Sequence, residues 1–461
     1  MTARIPRATT LDRLLRPFTP IKPGEGKRAG LLIITIFLLF TAYYVMKTAR
    51  EGLILAGGTF GLRGDLLKTY ASGAMAVLLI GLVPAYDHLV DGLRRIRLIN
   101  ISYAIVFISL GAFYVLGRAG VPLGLAYFLW FGLVAVLLVA QFWGYAADLY
   151  DEEQGVRLFA IIAAGGSLGA IAGPRIARLA DTFNLMWIAA VILVAAGILF
   201  NVIEHGLKGR DISRSERPIE GPGGFSLVLR DHKLLLIGSM LILANIVNTT
   251  GEFLLSNAAR AHAIELVPAT SHPELVGAAH GAAIEEERRE LIKMFYSDFY
   301  VWVNLLGFLI QAFLVSRIVT KIGIRNALFI LPVIAFGAYG AVAVFGGLAV
   351  LRLAKIVENS TDYSLQNTVW QALFLRANRA VKYKAKATLD TFFVRVGDLL
   401  SAVLVALSIH TLGIGPRELA FVNVGLIVVW GAVAASIAHQ TFKKAPTTVD
   451  LPPAGVSVTS A

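Results

Sequence analysis

The chain contains no cysteine, and only 16% of its 461 residues are charged. The first absence excludes disulfides, thiolate metal sites and cysteine nucleophiles. The second sets the chain apart from soluble domains, about a quarter of whose residues are charged. A GxxxxGK[ST] phosphate loop, an HExxH zinc motif and a nucleophile elbow are also missing, so nothing in the sequence recommends an enzyme, and no catalytic residue or cofactor is expected. The stretch AGGSLGA, Ala164 to Ala170, has no lysine and suits close helix packing or a bend. His262, His272 and His280 lack the spacing of a metal site, so no metal is expected.

What the chain does have is apolar sequence. Hydrophobic residues make up 57% and the mean hydropathy is +0.71. Long apolar runs recur throughout, each near the roughly 20 residues that cross a bilayer as a helix. We read an all-α integral membrane protein with twelve transmembrane helices, at about 29–52, 67–87, 98–117, 122–147, 158–178, 184–204, 234–258, 294–316, 324–344, 347–373, 388–411 and 417–439. The organisation that follows is a basic leader (1–28), a six-helix half (29–204), a linker (205–233) carrying RPIEGPGGF, a second six-helix half (234–439) with a loop at 259–293, and a tail (440–461).

The net charge of +12 is not a nucleic-acid signature, because it is sorted by side. The leader and alternate loops hold 27 Lys and Arg; the opposite loops hold six, Arg63, Arg118, Arg260, Arg288, Arg289 and Lys293. The positive-inside rule therefore puts both termini in the cytoplasm of a multi-pass cell-membrane protein, and the leader, without an organelle-type pattern, favours a bacterial inner membrane. The expected partners are the lipid bilayer and a small anionic molecule, with no nucleic acid, and the chain is read as a monomer. A central linker between two six-helix halves is the layout of the major-facilitator transporters, whose halves are parallel repeats. A weak internal repeat accompanies it: Trp143 precedes Arg157, and Trp370 precedes Lys384, by the same 14 residues.

Charge at membrane depth costs at least ~2.5 kcal/mol per residue, so such residues face a cavity or a partner. In the first span Tyr43, Lys47 and Arg50 share a helix face, with Glu51 one turn after Lys47. They fit either a cationic wall for an anion or a Lys47–Glu51 pair with Arg50 reaching the surface. In the tenth span Arg352, Lys355, Asn359, Asp362, Tyr363, Gln366 and Trp370 fall within about 100° of arc, which fits a cavity wall or a tight helix interface. Glu252 shares its face with Asn245, Asn248, Thr249 and Ser256. It is placed either to take a proton or to lock to a neighbouring cation. Gln141, Tyr145 and Asp148 align in the fourth span, and Asp390, Arg395 and Asp398 in the eleventh are placed for gate salt bridges.

Several segments, in order over about residues 30–440, resemble the ATP/ADP antiporter family of nucleotide transporters, a branch or relative of the major facilitators. They are YYVMKTAREGLIL, QFWGYAADLYDEEQGVRLF, NTTGEF, TDYSLQNTVWQALF and, most specifically, KYKAKATLD (Lys382 to Asp390). The resemblance implies exchange of ATP for ADP, or proton-coupled nucleotide uptake, by alternating access. It assigns transport roles to Lys47, Arg50 and Glu51, to Asp151, Glu152 and Arg157, and to Lys382, Lys384, Lys386 and Asp390. One departure stands out. Where the family's exchangers continue to a Gly-Lys-Ser-Gly-Gly-like stretch, this chain has Gly397, Asp398, Leu399, Leu400 and Ser401, an acid in place of a phosphate-favouring lysine. Two other expectations stay open: a proton-coupled carrier of a different solute, working through Glu252, Asp362 or Asp398, and a non-transporting membrane sensor of the same fold.

Overall fold

Helix α6, Asn184–His205, shows the rule by which the molecule is built. Leu193, Ala196, Phe200 and Ile203 are buried against neighbouring helices, while Val191, Val194, Ile198 and Val202 on the other side are exposed. A helix that is apolar all round and packed on one side only has lipid as its remaining partner. The computed structural model describes residues 12, 19–90, 94–150, 152–206, 223–374, 377 and 381–442, with backbone only at 82–90, 152, 156, 382, 383, 441 and 442.

Twelve long helical stretches run up and down through the described residues. They are α1 (Gly26–Ala56), α2 (Gly64–Val90), α3 (Arg95–Arg118), α4 (Gly124–Leu149), α5 (Glu152–Ala177), α6, α7 (His232–Leu266), α8 (Ala278–Ala327), α9 (Ile330–Phe345), α10 (348–373), α11 (381–411) and α12 (Pro416–Phe442). Nine of them are long and apolar enough to cross a bilayer, and α9 is a shorter apolar helix. A two-residue hairpin, Gly58–Thr59 paired with Leu62–Arg63, joins α1 to α2. It marks what we call the hairpin end of the molecule. The opposite, basic end holds Glu25, Arg95, Lys233 and Lys386.

The helices largely follow the sequence reading, with one correction. The connection expected as a loop over 259–293 is mostly helix: α7 continues to Leu266 and α8 begins at Ala278. The polar run IEEERRELIK prolongs α8 by presenting Ile284, Ile292 and Lys293 inward and Glu285, Glu286 and Glu287 outward. At its other end α8 is bent at Gly323, where φ is +75°. Five π-helical turns interrupt the helices among the described residues, all in the second half of the chain: 310–314, 362–366, 381–385, 389–393 and 407–411. Such turns concentrate where a helix must re-aim side chains.

Two buried apolar clusters organise the packing. One joins α1 and α3–α6 around Tyr127, Phe131, Phe142 and Phe200; the other centres on α7–α12 around Tyr296, Phe299, Tyr339 and Trp430, and takes in Tyr44, Leu66 and Phe128 from the first half. Helix α1 lies directly on the glycine face of α5. A Cβ at Gly173 would stand 2.5 Å from the Thr41 carbonyl oxygen, and one at Gly165 2.7 Å from that of Ile33. The AGGSLGA segment is therefore a packing surface, and it sets the position of Lys47 and Arg50 on the other side of α1.

Hydrogen bonds between the two sets of helices gather toward the hairpin end. Tyr44 Oη donates to Asn304 Oδ1 (2.9 Å), Ser297 Oγ to the Pro174 carbonyl (2.5 Å), Asn257 Nδ2 to Asp65 Oδ2 (2.8 Å) and Thr182 Oγ1 to Glu290 Oε1 (2.6 Å). Arg178 pairs with Asp298 at 2.5 Å, and Lys293 with Glu290 beside it. The sets are zipped at this end.

Candidate functional site

A cavity of about 340 Å³ lies between the two sets of helices, walled by α1, α2, α4, α7, α8, α10 and α11. Its charged lining is Lys47, Arg50, Lys68, Glu252, Arg395 and Asp398. The charges are not equivalent. Glu51, fully buried behind the wall, meets Arg50, Lys68 Nζ (2.8 Å) and the Tyr300 hydroxyl (3.0 Å). Arg395 is held by Asp398 at 2.9 Å, whose other oxygen accepts from Asn245 Nδ2 (2.7 Å) and Thr249 Oγ1 (3.0 Å). Glu252 accepts from Asn359 Nδ2 (3.1 Å) and stands 3.7 Å from Lys355 and 3.8 Å from Lys68.

Lys47 differs. Among the described residues no carboxylate lies within ion-pair distance of its ammonium, which sits 4.5 Å from the centroid of the Tyr300 ring and 5.2 Å from that of Tyr44. An aromatic face holds a cation without neutralising it. Of the two readings of the first span, the Lys47–Glu51 pair is the one the geometry sets aside. Glu51 is taken by Arg50 and Lys68, while Arg50 points inward, 4.7 Å from the Phe128 ring centroid and 5.2 Å from that of Phe131, and does not reach the surface.

The stripe on α10 splits three ways. Lys355 is fully buried between α7 and α10, bonded to Glu358 (2.9 Å) and to Asn248 Oδ1 (2.8 Å), with Glu358 also accepting from the Tyr339 hydroxyl (2.8 Å). Arg352 lies over the Phe295 ring at 5.3 Å and lines neither cavity. The expectation that these two cations line the binding wall is corrected: burial and carboxylate pairing make Lys355 a helix-to-helix lock. The remaining members do face open space. Asn359 and Tyr363 line the central cavity, and Asp362, Tyr363, Gln366 and Trp370 line a second cavity of about 490 Å³ within the α7–α12 set, reaching toward the basic end. Asn248 and Tyr363 belong to both walls, so the two spaces adjoin. Leu348–Thr361 is regular α-helix, and the π-turn over Asp362–Gln366 that follows it turns Gln366 and Trp370 relative to Lys355.

The other expected gate residues lie away from the central cavity. Asp148 pairs with Arg95 (2.7 Å) between α3 and α4 at the basic end. Arg157 is clasped by Glu25 (3.0 Å) and by the carbonyl of Pro20, so it ties the segment before α1 to the start of α5. The Glu25 carboxyl is half-sheltered there; burial pushes its pKa up, but the hydrogen bonds and charge of Arg157 outweigh this and hold it below the ordinary glutamate value. Lys386 pairs with Asp390, which also accepts from the Trp370 indole (2.6 Å) and borders the second cavity. Lys384 is known through its carbonyl, which accepts from Thr388 (3.1 Å). Asp151 and the side chains of Glu152 and Lys382 lie outside the described residues.

Four contributors were not among the residues singled out from the sequence. Lys68 reads as an outer-end charge, yet it is buried and bonded to Glu51 and Ser256 (2.9 Å). Tyr300 bridges Lys47 and Glu51. Phe128 and Phe131 flank Arg50. A signal for Tyr300 was present: Tyr296, Tyr300 and Asn304 recur every four residues, one face of α8.

No family model matches the chain, and no curated protein matches it. Solved structures do. The nucleoside transporter NupG superposes with a TM-score of 0.59 at 16% identity, over 89% of this chain and 98% of its own. The fold is the major-facilitator fold. A POT family transporter in complex with 5-aminolevulinic acid gives 0.61 at 14% identity, over 95% of this chain and 97% of its own. The human organic anion transporter MFSD10 gives 0.53 at 15%, over 90% and 100%. At these identities the likeness is one of architecture: twelve transmembrane helices in two six-helix halves, in a multi-pass membrane protein.

Proposed function

We propose that the protein is an alternating-access carrier of a small organic anion, and that Lys47 is the group that docks the anion. The single observation that carries this reading is the unequal pairing inside the central cavity. In and behind the cavity wall, among the described residues, five cations (Lys47, Arg50, Lys68, Lys355 and Arg395) stand among four carboxylates (Glu51, Glu252, Glu358 and Asp398), and of the five only Lys47 has no carboxylate within ion-pair distance. That balance leaves about one positive charge for a ligand. It suits a singly charged anion with an apolar or aromatic body, for which Tyr43, Phe128, Phe131 and Tyr363 supply surface.

The nucleotide reading, ATP/ADP exchange, rests on the resemblance of KYKAKATLD and the segments around it. A triphosphate needs several forked cationic contacts at once. Here Arg50 and Arg395 are already occupied by carboxylates, so polyphosphate is the weaker reading. Closure at the hairpin end supports a carrier caught open toward the basic end, which the charge distribution assigns to the cytoplasm. The test is counterflow: proteoliposomes preloaded with unlabelled monocarboxylates, nucleosides or ADP, with the labelled counterpart outside. Uptake driven by an internal organic anion and absent in Lys47→Gln supports the proposal. Uptake driven by ADP alone restores the nucleotide reading, and no counterflow of any anion by folded protein removes both.

A further inference from the structure

The second cavity has the opposite chemistry to the first. Among the described residues no lysine or arginine lines it; its polar wall is made of carboxylates and amides, with the rings of Tyr363, Trp370 and Trp430. Two of its three carboxylates are engaged, Glu358 by Lys355 and Tyr339, and Asp390 by Lys386 and Trp370. Asp362 is not. Among the described residues it has no cation within ion-pair distance and no side-chain hydrogen bond.

One turn further, on the same wall, Gln366 is only 9% exposed, and its Oε1 has no hydrogen-bond partner. A buried amide oxygen without a donor is costly to maintain. An unpaired carboxylate and an unpaired carbonyl oxygen, both acceptors, in a space edged by aromatic faces, are the complement of an alkylammonium group: three N–H donors and a positive charge. A cavity of about 490 Å³ is roomy for a bare ion and of a size for an organic group.

The two unpaired charges are therefore of opposite sign, and their cavities adjoin across Asn248 and Tyr363. Resting on the anion reading above, we infer that the transported molecule is a zwitterion. Its acidic group docks at Lys47 and its ammonium group enters the second cavity, against Asp362 and Gln366. Counting Asp362 and the Asp390–Lys386 pair, the described cations and carboxylates around the two cavities balance, which matches a ligand with no net charge. The arrangement selects against anions of the same length that lack the amine, because they would leave both Asp362 and Gln366 without a donor.

The experiment is equilibrium binding to the purified full-length protein in detergent. The probes are unbranched ω-amino acids of increasing length, each set against the alkanoate that lacks the amine. For the length that spans both cavities, the amino acid should bind about tenfold or more tightly than its alkanoate, the scale of one charge-assisted hydrogen bond. Asp362→Asn should abolish that preference, with alkanoate binding still dependent on Lys47, and Gln366→Leu should reduce it. Thermal unfolding verifies that both variants are folded; if Asp362→Asn is not, Asp362→Glu, which keeps the charge and should keep the preference, is compared with Gln366→Leu. Equal affinities of amino acid and alkanoate across the series, with alkanoate binding still dependent on Lys47, would overturn the zwitterion and spare the anion reading. Alkanoate binding indifferent to Lys47→Gln would overturn the anion reading itself.

Discussion

Lys47 and Lys355 are two lysines at membrane depth, and replacing each by glutamine should have opposite consequences. Lys355 is completely buried, with its ammonium 2.9 Å from Glu358 and 2.8 Å from Asn248 Oδ1. Lys355→Gln leaves the buried Glu358 carboxylate without its cation, and breaking a buried pair from one side costs about 3–5 kcal/mol. Lys47 has only the Tyr300 and Tyr44 rings as neighbours for its charge, so its removal strands no carboxylate. The loss there is a cation–π contact of about 0.5–2 kcal/mol, partly offset because glutamine no longer has to hold a charge in the membrane. For a bound anion the order reverses. Lys47→Gln removes a charge-assisted contact of about 1.5–3 kcal/mol, roughly a tenfold to hundredfold loss of affinity. The assay is thermal unfolding of both purified variants together with anion binding. Lys47→Gln as destabilising as Lys355→Gln, or anion affinity unchanged in Lys47→Gln, would refute the division of labour.

Other outcomes follow from the same contacts. Arg352→Gln, which loses only its stacking on Phe295, should keep transport within about twofold of wild type, a loss under ~0.5 kcal/mol, measured as initial counterflow rate. Asp298→Asn frees Arg178 at the hairpin end and should weaken the zip there, seen as faster labelling of a cysteine placed at Tyr43 by a reagent added from the hairpin side. His272 is held by Glu287 (2.9 Å), and this hydrogen bond raises its pKa above the ordinary 6.5. The contact is therefore complete below that value and is lost as pH rises through the raised one, so an NMR titration of His272 should shift downward in Glu287→Gln. Glu25 runs the other way. Its lowered pKa keeps the clasp on Arg157 intact at and below the ordinary 4.5 and releases it only as pH falls through the lowered value, and Glu25→Gln should lower stability by about 1 kcal/mol in thermal unfolding at neutral pH.

Much of the architecture was legible because membrane helices announce themselves by length and apolarity, and the sorting of 27 cations against six needs only counting. The ends of helices were less so. The polar start of α8 reads as loop on hydropathy alone, yet its Ile284 and Ile292 keep helical spacing. In the site, helical periodicity correctly grouped Tyr43, Lys47 and Arg50 on one face of α1, which the cavity wall confirms as an arrangement in space. Periodicity could not divide the α10 stripe. Lys355 and Asp362 stand two turns apart on regular helix, yet one is paired inside the α7–α10 interface and the other borders the second cavity, and the π-turn at 362–366 re-aims Gln366 and Trp370 beyond them. Nor does one-dimensional spacing reveal who takes whose charge. That Glu51 is claimed by Lys68, seventeen positions on and across a hairpin, leaves Lys47 free, and no reading of α1 alone contains it.

The carrier account stands most directly on a distance measurement. Because the chain has no native cysteine, pairs of cysteines can carry spin labels without background. One pair, Asn100→Cys with Arg325→Cys, reports the basic end; another, Val121→Cys with Val276→Cys, reports the hairpin end. All four positions are exposed. With an anion that drives counterflow, the account predicts that the basic-end distance shortens while the hairpin-end distance lengthens, and that Lys47→Gln abolishes both changes at the same concentration. Two distances that stay fixed while the anion is being transported, or that move in the same direction, would contradict it.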